Sequence, residues 1–355
     1  MALLKFVLRR LFLAAVTFVV ITAALYGIMM LAPVEARAMM YVPPGDRGNS
    51  MNLIQTIIRE HRLDDPYPVQ YARWLFNLLR GDWGWSPNLR EGVLPALIRR
   101  TPVTAELTIY SVLLFIPLGL VSGVVAGWKR DRLADHGLRL LAFIGTSVPP
   151  FIMGLVLLAI FYVGLHWFPP GRISLAYGID IRADSFRTIT GLLTIDALLN
   201  SRPDIAFDAL RHLALPVFSL SLAHWATLTR VTRTAIIEEL DKDYVVAARG
   251  RGLSQALAVW RHALRNAMVP ALNSSALSAA ALVTGVFVIE VIFSLPGVSE
   301  PLTQSAQVYA SFFAPDVAVA MGFAVYGVLM VLPLMIVLDF LQAMVDPRIR
   351  EGVLS

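Results

Sequence analysis

The residues best suited to bind another molecule lie in an arginine-rich stretch, 243–266, between two long apolar runs. Gly252 divides this stretch, because glycine readily adopts the left-handed backbone that ends a helix. Ser254 follows at the right distance to cap a second short helix. The spacing therefore predicts two short helices joined at a tight turn.

The second short helix is predicted to be amphipathic. Leu257, Trp260 and Leu264 fall on one helical face, while Arg261 and Arg265 fall on another. This pattern has no pocket chemistry of its own. It predicts a surface that docks onto another protein, with an ordinary basic loop as the alternative.

Residues with catalytic or metal-binding chemistry are few and scattered. The chain has no cysteine, which excludes disulfides and cysteine-ligated metals, and its six histidines show no close spacing. None of the three lysines, Lys5, Lys129 and Lys242, follows a glycine, so a Gly-Lys-Ser/Thr phosphate loop is excluded. We therefore predict that the chain is not an enzyme and holds no cofactor and no metal.

The composition is that of an integral membrane protein. Of 355 residues, 57% are hydrophobic and 15% are charged, and the mean hydropathy is +0.66. Apolar runs of about 20 residues, enough to cross a bilayer as helices, recur along the chain. The net charge of +5 could suggest nucleic acid, but the basic residues lie between apolar runs. They are better placed to set membrane orientation, and we expect no nucleic-acid partner.

The apolar runs predict an all-α membrane protein with six transmembrane helices, a cytoplasmic loop and two sizeable extracytoplasmic segments. Residues 1–33 hold the N-terminus and the first span, and 34–102 form the first extracytoplasmic segment. The core is 103–350, with spans at about 103–127, 140–167, 212–236 and 267–293 and a sixth ending near 341. The second extracytoplasmic segment is 168–212.

The distribution of basic residues predicts the orientation. All three lysines fall on one side of this topology, and the loop 294–316 on the other side has no Lys or Arg. Because basic residues concentrate in cytoplasmic loops, both termini are predicted to be cytoplasmic. The expected location is the inner or plasma membrane of a bacterium or archaeon.

The third span is interrupted by Gly145-Thr-Ser-Val-Pro-Pro150, and two adjacent prolines free backbone carbonyls that lipid cannot satisfy. The stretch should face protein or a water-filled path, although a purely structural kink remains an alternative. Polar residues inside other spans also tend to face protein interiors or paths. The candidate pathway residues are Ser147, Pro149, Pro150, His224 and Glu290.

Two of the intramembrane polar groups have simpler alternatives. His224 fits a hydrogen-bonded interior histidine as well as a path-lining one. Glu106, near the outer end of the second span, fits an interfacial position as well as a path. For each residue, the sequence leaves both alternatives open.

Several motifs resemble those of permease subunits in ABC importers of the dipeptide/oligopeptide/nickel branch. Tyr244, Ala247, Arg249, Gly252-Leu253 and Arg261-His-Ala-Leu-Arg-Asn266 resemble the cytoplasmic loop of that branch. Val246 and Arg265 stand where the wider family has Glu and Pro. Further segments resemble the same branch in the same order: Leu63-Asp-Asp-Pro66, Gly81-Asp-Trp-Gly-Trp-Ser86, Ser147-Val-Pro-Pro-Phe151, Val288–Gly297 and Asp346-Pro-Arg348.

The resemblance implies a permease subunit forming half of the pathway of an ATP-driven importer for di- or oligopeptides. Implied partners are a second, homologous permease, two ABC ATPase subunits and an extracytoplasmic solute-binding protein, all assembled in the lipid bilayer. The loop 238–266 would be the coupling loop that contacts the ATPase. The residues that the resemblance assigns to coupling are Tyr244, Ala247, Ala248, Arg249, Gly252, Leu253, Leu257, Trp260 and His262.

Other functions fit parts of the sequence. A permease of the same type for nickel or another small solute is the nearest alternative, because the sequence has no compact motif that identifies the cargo. An ion-coupled secondary transporter would favour several intramembrane acids and paired repeats, which are not evident. A membrane-embedded enzyme would need clustered catalytic groups inside the spans.

Overall fold

A computed structural model describes most of the chain. It covers residues 2–38, 41, 51–86, 88–309 and 316–345. Side chains are not described at 2–7, 284, 305–309 and 333–345. The Asp346-Pro-Arg348 motif lies outside the described residues.

The described chain is mostly helical. Two π-helical turns, Leu158–Gly164 and Ala258–Ala263, and a 3₁₀ turn, Asp180–Arg182, adjoin the helices. The helices in chain order are α1 (Ala2–Met29), α2 (Val34–Ala38), α3 (Met51–Glu60), α4 (Tyr67–Leu79), α5 (Val93–Trp128), α6 (Leu133–Ser147), α7 (Pro150–Leu157), α8 (Leu175–Gly178), α9 (Leu193–Leu199), α10 (Pro203–Leu240), α11 (Asp243–Gly250), α12 (Gln255–Leu257), α13 (Leu264–Ile292), α14 (Glu300–Tyr309) and α15 (Val317–Val345).

The chain is a multi-pass membrane protein by the length and composition of its helices. Three helices are long and apolar enough to cross a bilayer: Leu8–Met29, Val93–Trp128 and Pro203–Leu240. Two bent pairs, Leu133–Ser147 with Pro150–Gly164 and Gln255–Val283 with Gly285–Ile292, raise the number to as many as five. The first pair is bent by 103° at the prolines. The break predicted in the third span is therefore confirmed, while the described residues alone do not establish six spans.

Two helices extend well beyond their predicted apolar cores. α5 begins at Val93, inside the segment predicted to be extracytoplasmic, and α10 begins at Pro203 instead of near 212. Hydropathy marks the part of a helix that lies in hydrocarbon, whereas the helix continues as long as its backbone hydrogen bonds do. Pro203 occupies a first-turn position, where its missing N–H costs little.

The described chain divides into two compact units. One comprises 4–103 with 296–333, and the other consists mainly of 104–295. The first unit contains a departure from an all-helical fold, a short antiparallel pairing of Trp85–Ser86 with Glu91–Gly92. The Asp316 carboxylate accepts a hydrogen bond from the Ser86 hydroxyl at 2.5 Å, which joins this hairpin to the start of α15.

In the second unit, α5 and α10 approach closely along a strip of glycines. Gly119, Gly123 and Gly127 lie four residues apart on α5, as expected for a smooth face that permits tight helix packing. A Cβ added to each would lie within 2.8 Å of Leu228, 2.5 Å of Thr232 and 2.8 Å of Ile236, respectively. The predicted close packing is confirmed, and its partner is α10.

A buried ion pair attaches the start of α6 to α10. Both carboxylate oxygens of Asp135 accept hydrogen bonds from Arg233, at 2.6 and 2.7 Å, and Asp135 is fully buried. Such two-point pairs fix the geometry as well as the distance. The pair therefore holds the start of α6 against α10, the same helix that packs on the glycine strip of α5.

Replacing Gly123 by alanine tests the α5–α10 contact. The new methyl would meet the Cβ of Thr232 and the carbonyl of Thr229, neither of which can rotate away. Overpacking of this kind costs about 1–3 kcal/mol, so we expect a lower unfolding temperature for the purified permease in detergent. The matched control is Gly137→Ala on α6, where nothing described lies within 4 Å. It should be neutral or stabilising by about 0.5–1 kcal/mol, and equal destabilisation by both variants would contradict the proposed packing.

Candidate functional site

The turn at Gly252 has the geometry that the sequence predicts. Gly252 has a φ of +88°, and its N–H donates to the carbonyl of Arg249 at 3.0 Å. The N–H of Leu253 donates to the carbonyl of Ala248 at 3.3 Å, which completes a Schellman helix end. Ser254 then accepts a hydrogen bond from the N–H of Leu257 at 3.4 Å, as a helix cap. Hydrogen bonds on both sides of the turn fix its geometry.

The inward face of the 238–266 loop packs on the helices that carry it. Its buried residues are small or aliphatic and form one cluster with residues of α5, α10 and the start of α13. Buried apolar contacts of this kind hold the loop to the helices without polar constraints. The cluster consists of Val124, Ala235, Ile236, Val245, Ala258, Val259, Ala263 and Ala267.

The outward face of the same loop exposes large apolar side chains. Leu257 and Trp260 are 43% and 41% exposed, and Val246 is also exposed. Leu264, which helical periodicity grouped with Leu257 and Trp260, packs partly against the internal cluster. The wider π-helical turn at Ala258–Ala263 changes which residues share a face.

The remaining predicted coupling residues divide between the two faces. Ala247 and Arg249 are exposed, whereas Ala248 is buried beneath them. Leu253 and His262 are half-buried at the edge. The same loop also exposes four arginines, Arg249, Arg251, Arg261 and Arg265.

Tyr244 belongs to a small polar network that the sequence did not reveal. Its hydroxyl donates to the Glu239 carboxylate, which also accepts from the Asn266 side chain at 3.5 Å. Burial, reinforced by the hydrogen bond to Glu239, raises the pKa of Tyr244 to about 12. The phenol therefore stays protonated, and it links the two ends of the loop. The sequence gives no local signal for this role of Glu239, because one of its two partners, Asn266, lies 27 residues away.

The glycines on either side of the break hold the broken span against two neighbouring helices. Ser147 and Pro149 are exposed and Pro150 is half-buried. On one side of the break, Gly145 lies against α10, and a Cβ there would be 3.2 Å from Ala226. On the other side, Gly154 lies against the residues that end α13. The break is thus held next to the helices that carry His224 and Glu290.

His224 and Glu290 have different surroundings. His224 is half-buried, with its ring 5.7 Å from that of Phe115. Glu290 is fully buried and accepts a hydrogen bond from the Thr104 hydroxyl. The structure therefore encloses the Glu290 carboxylate within the protein, whereas Ser147 and Pro149 lie at the surface of this chain.

A groove of about 460 Å³ lies along the half of α10 that leads into the 238–266 loop. It begins one turn after His224, and its polar lining residues all lie on α10, whereas α13 contributes Pro270. Its lining residues are Thr227, Arg230, Val231, Thr234, Ala235, Glu238 and Pro270.

Buried carboxylates organise the 168–212 segment. Glu106 accepts hydrogen bonds from the backbone N–H groups of Leu193 and Thr194, at 3.3 and 2.8 Å, and from the Thr194 hydroxyl at 2.5 Å. It thereby caps α9 across more than 80 residues of sequence. Asp208 likewise accepts from the Ser174 backbone and hydroxyl, at 2.8 and 2.7 Å. Glu106 therefore supports the segment, whereas the sequence had suggested an interfacial or path-lining position.

Two further charged groups complete this support. Asp196 is buried, which favours the neutral acid, but hydrogen bonds from Thr190 and Gly191 outweigh burial and lower its pKa. Burial lowers the pKa of Arg172, which lies 3.7 Å from Glu106 and donates to the carbonyl of Gly191 at 2.7 Å. The segment is thus ordered by interactions between ionised side chains and backbone groups.

These features define a multi-pass α-helical membrane protein in which the 238–266 loop exposes an apolar patch and buried carboxylates support the segment before α10. A family model for the binding-protein-dependent transport system inner membrane component matches residues 116–351. The model for the N-terminal part of such membrane components matches residues 3–108. The chain belongs to this family, the ABC importer permeases of the dipeptide and oligopeptide branch. It is a transport component and not an enzyme.

Named relatives match over most of their length. The chain is 35% identical to a di/tripeptide transport system permease protein of Pseudomonas aeruginosa, covering 98% of this chain and 99% of the relative. It is 33% identical to a probable D,D-dipeptide transport system permease protein of Escherichia coli K12, over 87% of each. It is 30% identical to an oligopeptide transport system permease protein of Bacillus subtilis, over 97% and 99%.

Removing the Glu106 charge tests the support of the 168–212 segment. In Glu106→Gln, one acceptor oxygen is lost and an N–H₂ group faces backbone donors, which costs about 1–3 kcal/mol. We expect the amides at the start of α9 to exchange hydrogen on the order of 10-fold faster. The control is Asp184→Asn, an exposed acid in the same segment. Unchanged α9 protection in Glu106→Gln would contradict the capping role.

Proposed function

We propose that this chain forms half of the translocation pathway of an ATP-driven importer for di- or oligopeptides. The observation that carries the proposal is the exposed apolar patch of Leu257 and Trp260, mounted on a hydrogen-bonded turn in a chain of this permease family. A patch on a rigid support is suited to transmit movement, whereas a flexible loop would absorb it. The peptide cargo is supported by the names of relatives that match almost the whole chain.

The proposed topology has six spans with both termini in the cytoplasm. Five come from the three long helices and two bent pairs, and α15, 29 residues long, would be the sixth. A helix of that length rises about 43 Å, more than the hydrocarbon core needs. The lysine distribution and the cation-free 294–316 loop support the orientation.

The 238–266 loop is proposed to couple ATP hydrolysis to the spans. Its apolar patch would fill a groove on an ATPase subunit, and the exposed arginines of the same loop would suit a groove with an acidic rim. The inward cluster links the loop to α5, α10 and α13. When two ATPase subunits close, the loop would therefore tilt these helices and switch access to the pathway.

The other half of the pathway is proposed to come from a second, homologous permease subunit. Ser147 and Pro149 at the broken span are exposed in the single chain, as expected for a surface completed by a partner or by water. A solute-binding protein would deliver the cargo on the extracytoplasmic side. The family name, binding-protein-dependent transport, supports this partner.

Cysteine labelling tests both the orientation and the path, because the chain has no native cysteine. In the assembled transporter, Asp184→Cys should react with an impermeant reagent from outside and Arg132→Cys only from the cytoplasm. Ser147→Cys and Phe151→Cys should react with a small water-soluble thiol reagent in at least one nucleotide state. Phe12→Cys, on the exposed face of α1, is the lipid-facing control. If the cysteines at 147 and 151 did not react in any nucleotide state, the break would be a structural kink and would not line the path.

Coupling is tested by two variants of the 238–266 loop. Gly252→Val should strain a left-handed turn by about 1–3 kcal/mol, although nothing described lies within 4 Å of the new side chain. Trp260→Ala should cost about 2 kcal/mol or more if the ring is an interface anchor. We expect normal insertion, weaker co-purification of the ATPase and loss of cargo-stimulated hydrolysis in proteoliposomes.

The matched control for these variants is Leu133→Ala, which removes an exposed apolar side chain from the neighbouring basic loop. It should leave coupling unchanged. If Gly252→Val and Trp260→Ala both couple hydrolysis to uptake as the unmodified protein does, the 238–266 loop is not the coupling element.

A further inference from the structure

Helix α4 lies against the membrane span α1. The hydroxyl of Tyr67 donates to the carbonyl of Ala23 at 2.6 Å, and that of Tyr71 donates to the carbonyl of Val19 at 3.0 Å. Tyr71 also shares a hydrogen bond of 2.9 Å with Thr22. Two tyrosines one helical turn apart therefore attach α4 to the side of α1.

Aromatic contacts surround this attachment. The Tyr26 ring lies 6.0 Å from Tyr67, 5.9 Å from Tyr71 and 5.2 Å from Trp74, centre to centre. Tyrosine and tryptophan are enriched where hydrocarbon meets water, because their rings are apolar and their polar atoms still need partners. The cluster thus has the composition of a membrane-interface belt.

The contact points on α1 lie within its apolar part. Ala23 and Val19 are six and ten residues before the helix end at Met29, or about 9 and 15 Å along the axis. The sequence from Leu11 to Val34 contains no charged residue. The α1 carbonyls that the α4 tyrosines contact therefore lie inside the part of α1 that is expected in hydrocarbon, not at its end.

The faces of α4 divide sharply by polarity. At 100° per residue, Tyr67, Tyr71 and Trp74 form the face on α1. The adjacent face is apolar and open, with Leu79 72% exposed, Phe76 52% exposed and Val69 48% exposed at its edge. The polar side chains lie together on the remaining side of the helix, where Gln70 is buried and Arg73, Asn77 and Arg80 are at least partly exposed.

The two arginines near the open apolar face have different partners. Arg73 extends away from that face, to the Asp65 carboxylate at 2.7 Å and to the carbonyl of His61 at 2.8 Å. Arg80, which follows α4, places its guanidinium 3.8 Å from the centre of the Phe76 ring. An arginine such as Arg73, which extends its charge from an apolar base toward polar groups, is typical of membrane interfaces.

We propose that α4 is an interfacial helix packed against α1 in the leaflet where α1 ends, with Ala72, Phe76 and Leu79 in contact with lipid. The occupant of its open face is therefore the boundary between lipid headgroups and acyl chains. Three observations carry this assignment: attachment to the apolar part of α1, the division of polarity around α4, and the exposure of large apolar side chains on both helices. The proposal requires only that α1 spans the membrane, and it is independent of cargo and coupling.

Collision measurements on spin labels test this placement. Single cysteines at Ala72, Phe76 and Leu79 would carry a nitroxide in the assembled transporter, reconstituted into vesicles of phosphatidylcholine and phosphatidylglycerol. At these positions, we expect collisions with oxygen, which concentrates in lipid, to exceed collisions with a water-soluble nickel chelate severalfold. Replacing Phe76 removes the ring that Arg80 contacts and could disturb that side chain. The labels at Ala72 and Leu79 leave this contact in place and therefore test the same face independently.

The matched controls are Asn77→Cys on the polar face of α4 and Asp64→Cys in the turn before it, both of which should favour the nickel chelate. Preference for the chelate at 72, 76 and 79 would place this face in water and overturn the proposal. Protection of all three from both reagents would overturn it as well, since a protein partner would then cover the face.

Discussion

The close approach of α5 and α10 through three glycines is the constraint on which the rest of the second unit depends. Side chains at Gly119, Gly123 and Gly127 would force the two helices apart, because atoms of α10 already occupy the space of a Cβ. Without a hydrophobic driving force between helices in lipid, such packing and the hydrogen bonds across it provide the association. Ser122 adds one of these, at 2.7 Å from the Thr229 hydroxyl. The closely packed pair of α5 and α10 is called the axis below, and its two ends contact other parts of the chain in different ways.

At one end, the axis is joined to the 238–266 loop by apolar packing. Val124 of α5 and Ile236 of α10 belong to the cluster that buries the loop's inward face. At the other end, Glu106 of α5 and Asp208 of α10 hold the 168–212 segment through hydrogen bonds to backbone N–H groups. A movement imposed on the loop therefore acts on a structure that is ordered from one end to the other, as the proposed coupling requires.

The broken helix α6–α7 is fastened beside this axis and not within it. Gly145 meets α10 on one side of the prolines, and the ion pair of Asp135 with Arg233 holds the start of α6. Ser147 and Pro149 at the break remain at the surface of the single chain. In contrast, Glu290 is enclosed with Thr104. The surface around Ser147 is therefore a better candidate for the path in this conformation than the buried acid.

Local chemistry in the sequence was enough to predict several features, because each depends on residues close in the chain. They include several helices long enough to span a membrane, the left-handed turn at Gly252, the break at Pro149 and the smooth glycine face of α5. The tertiary structure alone decided which partners these features meet. Glu106 finds its donors 87 and 88 residues away, and Glu239 joins Tyr244 to Asn266 across the loop. The π-helical turn that separates Leu264 from Trp260, and the three faces of α4, likewise depend on packing, since periodicity specifies which residues share a face and not what that face meets.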